Sequence, residues 1–204
     1  MFKKPVIAFE EIEGSGKTHH INYVTKYLKK KKISYHKIRE PGGTINSEKI
    51  RSLILNNNSN FSKNTDLLLY LASRSENIEK LKKYYKKKII LIDRFVDSTI
   101  AYQHYGMGIN LSFINNINKF LLKDFKIDFT FLNIVNQKNM KKRLKKKKNL
   151  NRYDKLSNSF YKKVQNGFLN IAKKKIKKYQ IIDSNQDIRF NEKLIINKIE
   201  KLIK

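Results

Sequence analysis

An apolar run, PVIAF at residues 5–9, leads directly into EEIEGSGKT at residues 10–18. A strand, a loop of small residues and then a helical stretch is the order a phosphate-binding loop requires, and it commits the chain to an α/β fold. In such a loop successive backbone N–H groups turn inward on one anion, and a helix starting at Lys17 adds the positive end of its dipole. Lys17 supplies a point charge between the β- and γ-phosphates, and the Thr18 hydroxyl is placed to ligate Mg²⁺. The expected nucleotide contacts are therefore Glu11, Ile12, Glu13, Gly14, Ser15, Gly16, Lys17 and Thr18. One position departs from the pattern GxxxxGK[ST]. Glu11 stands where the first glycine belongs, and its carboxylate is expected to point outward, away from a loop built for anions. An ordinary glycine-rich β–α turn with a surface lysine would leave both the Gly-Lys-Thr order and the preceding strand as coincidence.

Short β-rich runs alternate with amphipathic lysine-rich stretches along the rest of the chain. Strands are expected at 5–10, 34–39, 88–93, 128–134 and 179–183. Helices are expected near 17–31, 45–56, 64–86, 96–104, 111–122, 136–147, 157–177 and 190–203. Strands separated by helices imply a parallel five-stranded sheet flanked by helices, joined by right-handed crossovers. With 204 residues, two prolines, seven glycines and no linker, the chain reads as one domain over 1–204. Ligands of such a sheet bind at the carboxyl ends of its strands, and each motif below begins at such an end.

There are no cysteines, which excludes disulfides and thiolate metal sites. No apolar stretch approaches the ~18 residues of a membrane span, and the first strand begins too early to leave room for a signal peptide, so a cytoplasmic protein is expected. The formal charge of +29 invites a nucleic-acid reading. Most of it is lysine scattered along the chain among asparagine and isoleucine, a usage that A/T-rich codons explain, and no specific nucleic-acid partner is expected. Seven of the 46 basic residues are arginine. In a chain that otherwise uses lysine, an arginine marks a position where a planar, bidentate fork is needed. Arg39, Arg51, Arg74, Arg94, Arg143 and Arg152 all fall in or beside the motifs; Arg189 does not.

The second expected strand ends in Arg39-Glu40-Pro41-Gly42-Gly43-Thr44, which taken alone is equally a Pro-Gly turn. The third ends in Leu91-Ile92-Asp93-Arg94. An acidic residue there, beside a phosphate loop, is placed to hold Mg²⁺ through water, or else to cap the next helix. Phe95-Val96-Asp97-Ser98-Thr99-Ile100-Ala101-Tyr102-Gln103 follows.

The set EGSGKT, REPGGT, LASRSE and DRF..ST.AYQ, in this order and spacing, resembles the thymidylate kinases, nucleoside monophosphate kinases that make dTDP from dTMP. The resemblance runs from residue 5 to about 183. It implies a phosphate-loop nucleoside monophosphate kinase fold with a mobile lid, ATP as phosphoryl donor, Mg²⁺ as cofactor, and a homodimer. By this resemblance Arg39, Arg74 and Arg94 grip dTMP, with Arg39 and Arg94 on its phosphate and Arg51 assisting. Glu13 reads the sugar 3′-hydroxyl and Tyr70 stacks on thymine. Ser98, Thr99 and Gln103 contact base and sugar, and Tyr102 disfavours a 2′-hydroxyl. Asp93 joins Thr18 at the metal. Lys142–Tyr153 matches the lid that closes over ATP, with Arg143 near the nucleotide. Because Ile12–Ser15 holds no basic residue, the charge-stabilising arginine is expected in the lid. Arg152 is the candidate, and Lys17, Arg94 and Arg152 are the expected catalytic groups. Lys145 and Lys147 stand where relatives carry arginine.

Three further departures accompany Glu11. His19 and His20 replace small polar residues after Thr18, and are read as packing or solvent residues. Met107 sits where many bacterial relatives carry arginine. Two rival readings stay open: a kinase for another small phosphorylated acceptor, and an idle phosphate-loop protein that binds nucleic acid.

Overall fold

The computed structural model describes residues 4–204. Five strands form one parallel sheet: β1 Val6–Glu11, β2 Tyr35–Arg39, β3 Ile89–Asp93, β4 Phe129–Ile134 and β5 Tyr179–Asp183, in the order β2-β3-β1-β4-β5. Each begins and ends within one residue of its expected bounds. Every residue of β1 is buried, as are Ile89–Leu91 and Ile92 of β3 and the first five residues of β4. Such continuous apolar runs suit parallel strands covered on both faces. The register sets Phe9 opposite both Asp93 and Phe131, and Arg39 opposite Asp93. The carboxyl ends of β1, β2 and β3 therefore meet at one edge.

Among the described residues eight helices flank the sheet: α1 Lys17–Lys30, α2 Ile45–Leu55, α3 Lys63–Tyr84, α4 Val96–Thr99, α5 Leu111–Leu122, α6 Gln137–Lys145, α7 Asn158–Lys174 and α8 Ile188–Ile203. Their starts follow capping chemistry. Thr44 and Ser47 form a reciprocal capping box at α2, and the side chains of Ser62, Asn110, Asn136, Ser157 and Asp187 each accept a backbone N–H of the first turn. One layer buries Phe9, Phe131, Ile21, Val24, Leu28, Ile195 and Ile199, which joins α1 and α8 to the sheet. The other buries Val6, Ile38, Ile78, Leu81, Ile90, Ile92 and Phe95. Full burial of one such side chain contributes roughly 1.5–3 kcal/mol, so this double-sided packing holds the strand ends in place.

The helix expected over 96–104 divides in two. After α4 the chain widens into a π-helical turn, Ile100–Gly106, packed closely on α7. The approach is tight at two glycines. A Cβ on Gly106 would meet the Phe160 ring at 2.7 Å, and one on Gly167 would meet the Tyr105 ring at 2.6 Å. π-turns recur at functional sites, and here Thr99, Tyr102 and Gln103 all face the cavity at the strand ends.

Candidate active site

A cavity of about 720 Å³ opens over the carboxyl ends of β1, β2 and β3. The loop after β1 forms its floor. Gly14 and Gly16 hold φ 74° and 91°, the left-handed region that side chains avoid, and this turns the loop back onto the start of α1. Gly16 has no side chain to cap α1, so the first N–H groups of the helix must find an acceptor elsewhere. Thr18 and Asp93 line the same wall, while Lys17 is buried with its ammonium paired to Asp93. Burial pushes that ammonium down to about 8, although Glu11 opposes the shift.

Glu11 does not point outward as expected. It ends β1, is buried at 7 % exposure, and turns its carboxylate into the loop. It accepts from the Ser15 hydroxyl and from the Lys17 backbone N–H at 2.9 Å, and lies 3.5 Å from the Lys17 ammonium. The physical reason is local. Donors gathered for an anion carry no partner of their own, and a neighbouring carboxylate satisfies them. Burial raises the Glu11 carboxyl, but Lys17, Arg94 and the two hydrogen bonds pull it below its ordinary value.

The arginines build the opposite wall, each held by a partner. Arg94 has φ 65°, uncommon for a residue with a side chain. It donates to the Glu11 carbonyl at 2.6 Å and to Glu13 at 2.8 Å, while its guanidinium lies 5.5 Å over the Tyr102 ring. The Tyr102 hydroxyl donates to the other oxygen of Glu13. Arg74 is fully buried and donates to Glu40 at 2.8 Å, Asn118 at 2.8 Å and Thr99 at 3.0 Å. Arg39 pairs with Glu48 at 2.9 Å, and Arg51 donates to the Pro41 carbonyl at 2.7 Å beside the cis Glu40–Pro41 peptide. Tyr70 and Ser98 complete the wall, and the Gln103 amide nitrogen is buried there with no partner.

Most of the expected site residues thus share one cavity, and three do not line it. Ile12 packs into the core, and Ser15 is buried beneath the loop. Arg152 donates to the Ile54 carbonyl and to Asp66, and its guanidinium lies 4.9 Å over the Tyr153 ring. Asp66 is buried on α3, and a buried carboxylate recruits a cation. Of the basic lid residues, Arg143 and Lys147 line the cavity instead. Arg143 bridges the Gly14 and Ser184 carbonyls at 3.0 and 2.7 Å, and Lys147 pairs with Asp154 at 2.5 Å. His20 is buried against Asn133, His19 pairs with Glu192 at the surface, and Met107 packs on the core. Sequence reasoning missed Glu40, Glu48, Tyr153 and Asp154 on the cavity wall. Glu40 stood inside REPGGT, where a carboxylate among so many arginines was the available signal.

A parallel sheet whose first strand feeds a glycine-turned loop, a lysine-led helix and a neighbouring strand-end carboxylate defines a phosphate-loop nucleotide-binding protein. The family model for thymidylate kinase matches residues 9–195. The thymidylate kinase of Thermosipho africanus is 41% identical over 184 residues, covering 89% of this chain and 90% of that one. The thymidylate kinase of a Thermoanaerobacter species is 34% identical over 204 residues, covering 98% of this chain and all (100%) of the relative. A crystal structure of thymidylate kinase from Ehrlichia chaffeensis superposes with a TM-score of 0.78 at 33% identity, covering 96% of this chain and 98% of that one. The chain belongs to the thymidylate kinase family.

Proposed function

We propose that this protein transfers the γ-phosphoryl group of ATP to the phosphate of dTMP, giving dTDP and ADP. The observation that carries the reading is one continuous cavity that joins the phosphate loop, with Lys17 and Thr18, to the wall of Arg39, Arg74 and Arg94. Such a reaction leaves the protein little covalent work. An oxygen of the acceptor phosphate attacks the γ-phosphorus, and the bond from that phosphorus to the β-bridging oxygen breaks. The protein must hold two anions in line and offset their charge.

Lys17 then serves the β- and γ-phosphates, Arg39 and Arg94 the acceptor phosphate, and Glu13 and Tyr102 the sugar. Tyr70, Thr99 and the unpartnered Gln103 amide suit a thymine base. Thr18 and Asp93 fit Mg²⁺, which takes one or two protein oxygens and fills its remaining positions with water and phosphate. Among the described residues no three His, Cys, Asp or Glu side chains converge as a cage, which suits an ion that arrives with the nucleotide. Bound there, Mg²⁺ would neutralise charge on the β- and γ-oxygens.

Residues 142–153 act as the lid. Arg143 and Lys147 meet the cavity as they stand, whereas Arg152 reaches it only by leaving Asp66. A homodimer completes the reading, supported by Phe113 and Phe120. These lie seven residues apart on one face of α5 and are 48 and 73 % exposed. Among the described residues no helix is long and apolar enough to cross a membrane.

The test is direct. Purified protein, MgATP and dTMP should yield dTDP by chromatography, and the absence of dTDP under conditions that keep the protein folded would overturn the assignment.

A further inference from the structure

The first position of the phosphate loop holds a carboxylate, and four of the donors around the anion seat turn to it, although the Lys17 ammonium also holds Asp93. They are the Ser15 hydroxyl, the Lys17 backbone N–H at 2.9 Å and the Lys17 ammonium at 3.5 Å, with Arg94 at 3.7 Å. The Lys17 N–H is the first of helix α1, and no other side chain caps that end. Glu11 therefore sits at the positive end of the α1 dipole, where an oxyanion is favoured. With Glu11 gone, Lys17 would keep Asp93 and Arg94 would keep Glu13, but the Ser15 hydroxyl and the first N–H of α1 would lose their acceptor.

We propose that Glu11 is an internal surrogate for a nucleotide phosphate: its carboxylate fills the anion seat of the free loop, and a nucleotide must displace it to bind. The proposal rests on the kinase reading for the identity of the displacing ligand. Displacement needs only rotation of the Glu11 side chain, since its backbone is fixed in β1 by pairing with β4. The apparent affinity for nucleotide is then reduced by the fraction of molecules in which the seat is free. The device sets a threshold, holding the donors of the loop in place when nucleotide is scarce and yielding when it is plentiful.

The test is calorimetric titration of ADP into the wild type, Glu11→Gln and Glu11→Gly. Glutamine keeps the shape and can still accept from the Lys17 N–H, but it carries no charge; glycine restores the loop pattern. Each folded variant should bind ADP at least about tenfold more tightly than wild type, the effect expected from removing a charge-assisted competitor. Should Glu11→Gln fail to fold, Glu11→Gly decides alone. Unchanged or weaker ADP binding by a folded variant would overturn the proposal, because Glu11 would then be a brace for the loop. The two readings fail separately. An enzyme that makes dTDP but shows no affinity gain removes only the surrogate, whereas a gain in affinity without dTDP formation removes only the kinase assignment.

Discussion

Arg94 and Glu13 are joined by a 2.8 Å ion pair in the wall of the cavity, and the same guanidinium donates to the Glu11 carbonyl at 2.6 Å. The left-handed backbone of Arg94 is a strained conformation that persists because these contacts over-determine it. An ammonium cannot serve two such partners and still present a flat fork to a phosphate. Arg94→Lys is therefore expected to lower kcat/KM for dTMP by about 100-fold or more, while the thermal midpoint shifts by only a few degrees. Steady-state kinetics beside calorimetry checks this; a near-silent Lys variant would remove Arg94 from the acceptor site.

Tyr102 is buried, donates to Glu13 and lies under Arg94 on the π-turn. Its ring is proposed to fill the space a 2′-hydroxyl would need, and steric rejection of this kind is worth ~1–3 kcal/mol. Tyr102→Ala should narrow the preference for dTMP over its ribose analogue by roughly 10- to 100-fold. An unchanged ratio of kcat/KM values for the two acceptors would reduce Tyr102 to packing.

The lid prediction follows from the partners of two residues. Arg152 is engaged by Asp66, 86 positions away in the chain, whereas Lys147 stands on the cavity wall. Lys147→Ala should lower kcat by on the order of 100-fold with little change in KM for dTMP, since a charge-stabilising contact acts in the transition state. Arg152→Lys should mainly lower stability, through the weakened contact with buried Asp66. The reverse pattern, a dead but stable Arg152→Lys enzyme and an active Lys147→Ala enzyme, would return the donor role to Arg152.

Glu10 gives a pH dependence. Burial, aided by the negative charge of Asp97, raises its carboxyl from 4.5 to about 7. The folded protein therefore binds more protons than the unfolded chain between these values, so stability falls as pH rises through the window. The cost is absent below about pH 4.5 and complete above about pH 7, at about 3 kcal/mol. Glu10→Gln keeps an acceptor for the Phe95 N–H, bonded to Glu10 at 2.9 Å, and removes the titration. Urea unfolding from pH 4.5 to 8 should show wild type losing stability relative to Glu10→Gln. Parallel curves would place the Glu10 ionisation outside this range.

The fold was legible because its central strands β1, β3 and β4 carry nearly unbroken apolar runs and six of its helices open on capping residues, signals that do not depend on distant contacts. The grouping of residues in one cavity was legible where a motif and a strand end coincide, as at Lys17, Asp93 and Arg94. What escaped depended on pairing across the chain. Arg152 reads as a lid donor from its place in NLNRY, and its pairing with the buried Asp66 of α3 is a contact that chain position does not show. Glu11 reads as repelled by an anion loop, because a pattern names the ligand the loop is built for and not the partner its donors take without one. The π-turn at Ile100–Gly106 packs Gly106 on Phe160 and Tyr105 on Gly167, contacts that helix periodicity cannot reveal.

The central claim is selectivity for a thymine deoxynucleotide, and one coupled assay of ADP release tests it across dTMP, dUMP, UMP and dCMP with ATP as donor. The account predicts turnover of dTMP with the highest kcat/KM of the four, and UMP weaker by about 10-fold or more because Tyr102 excludes the 2′-hydroxyl. Equal values for dTMP and UMP, or a preference for dCMP, would contradict it.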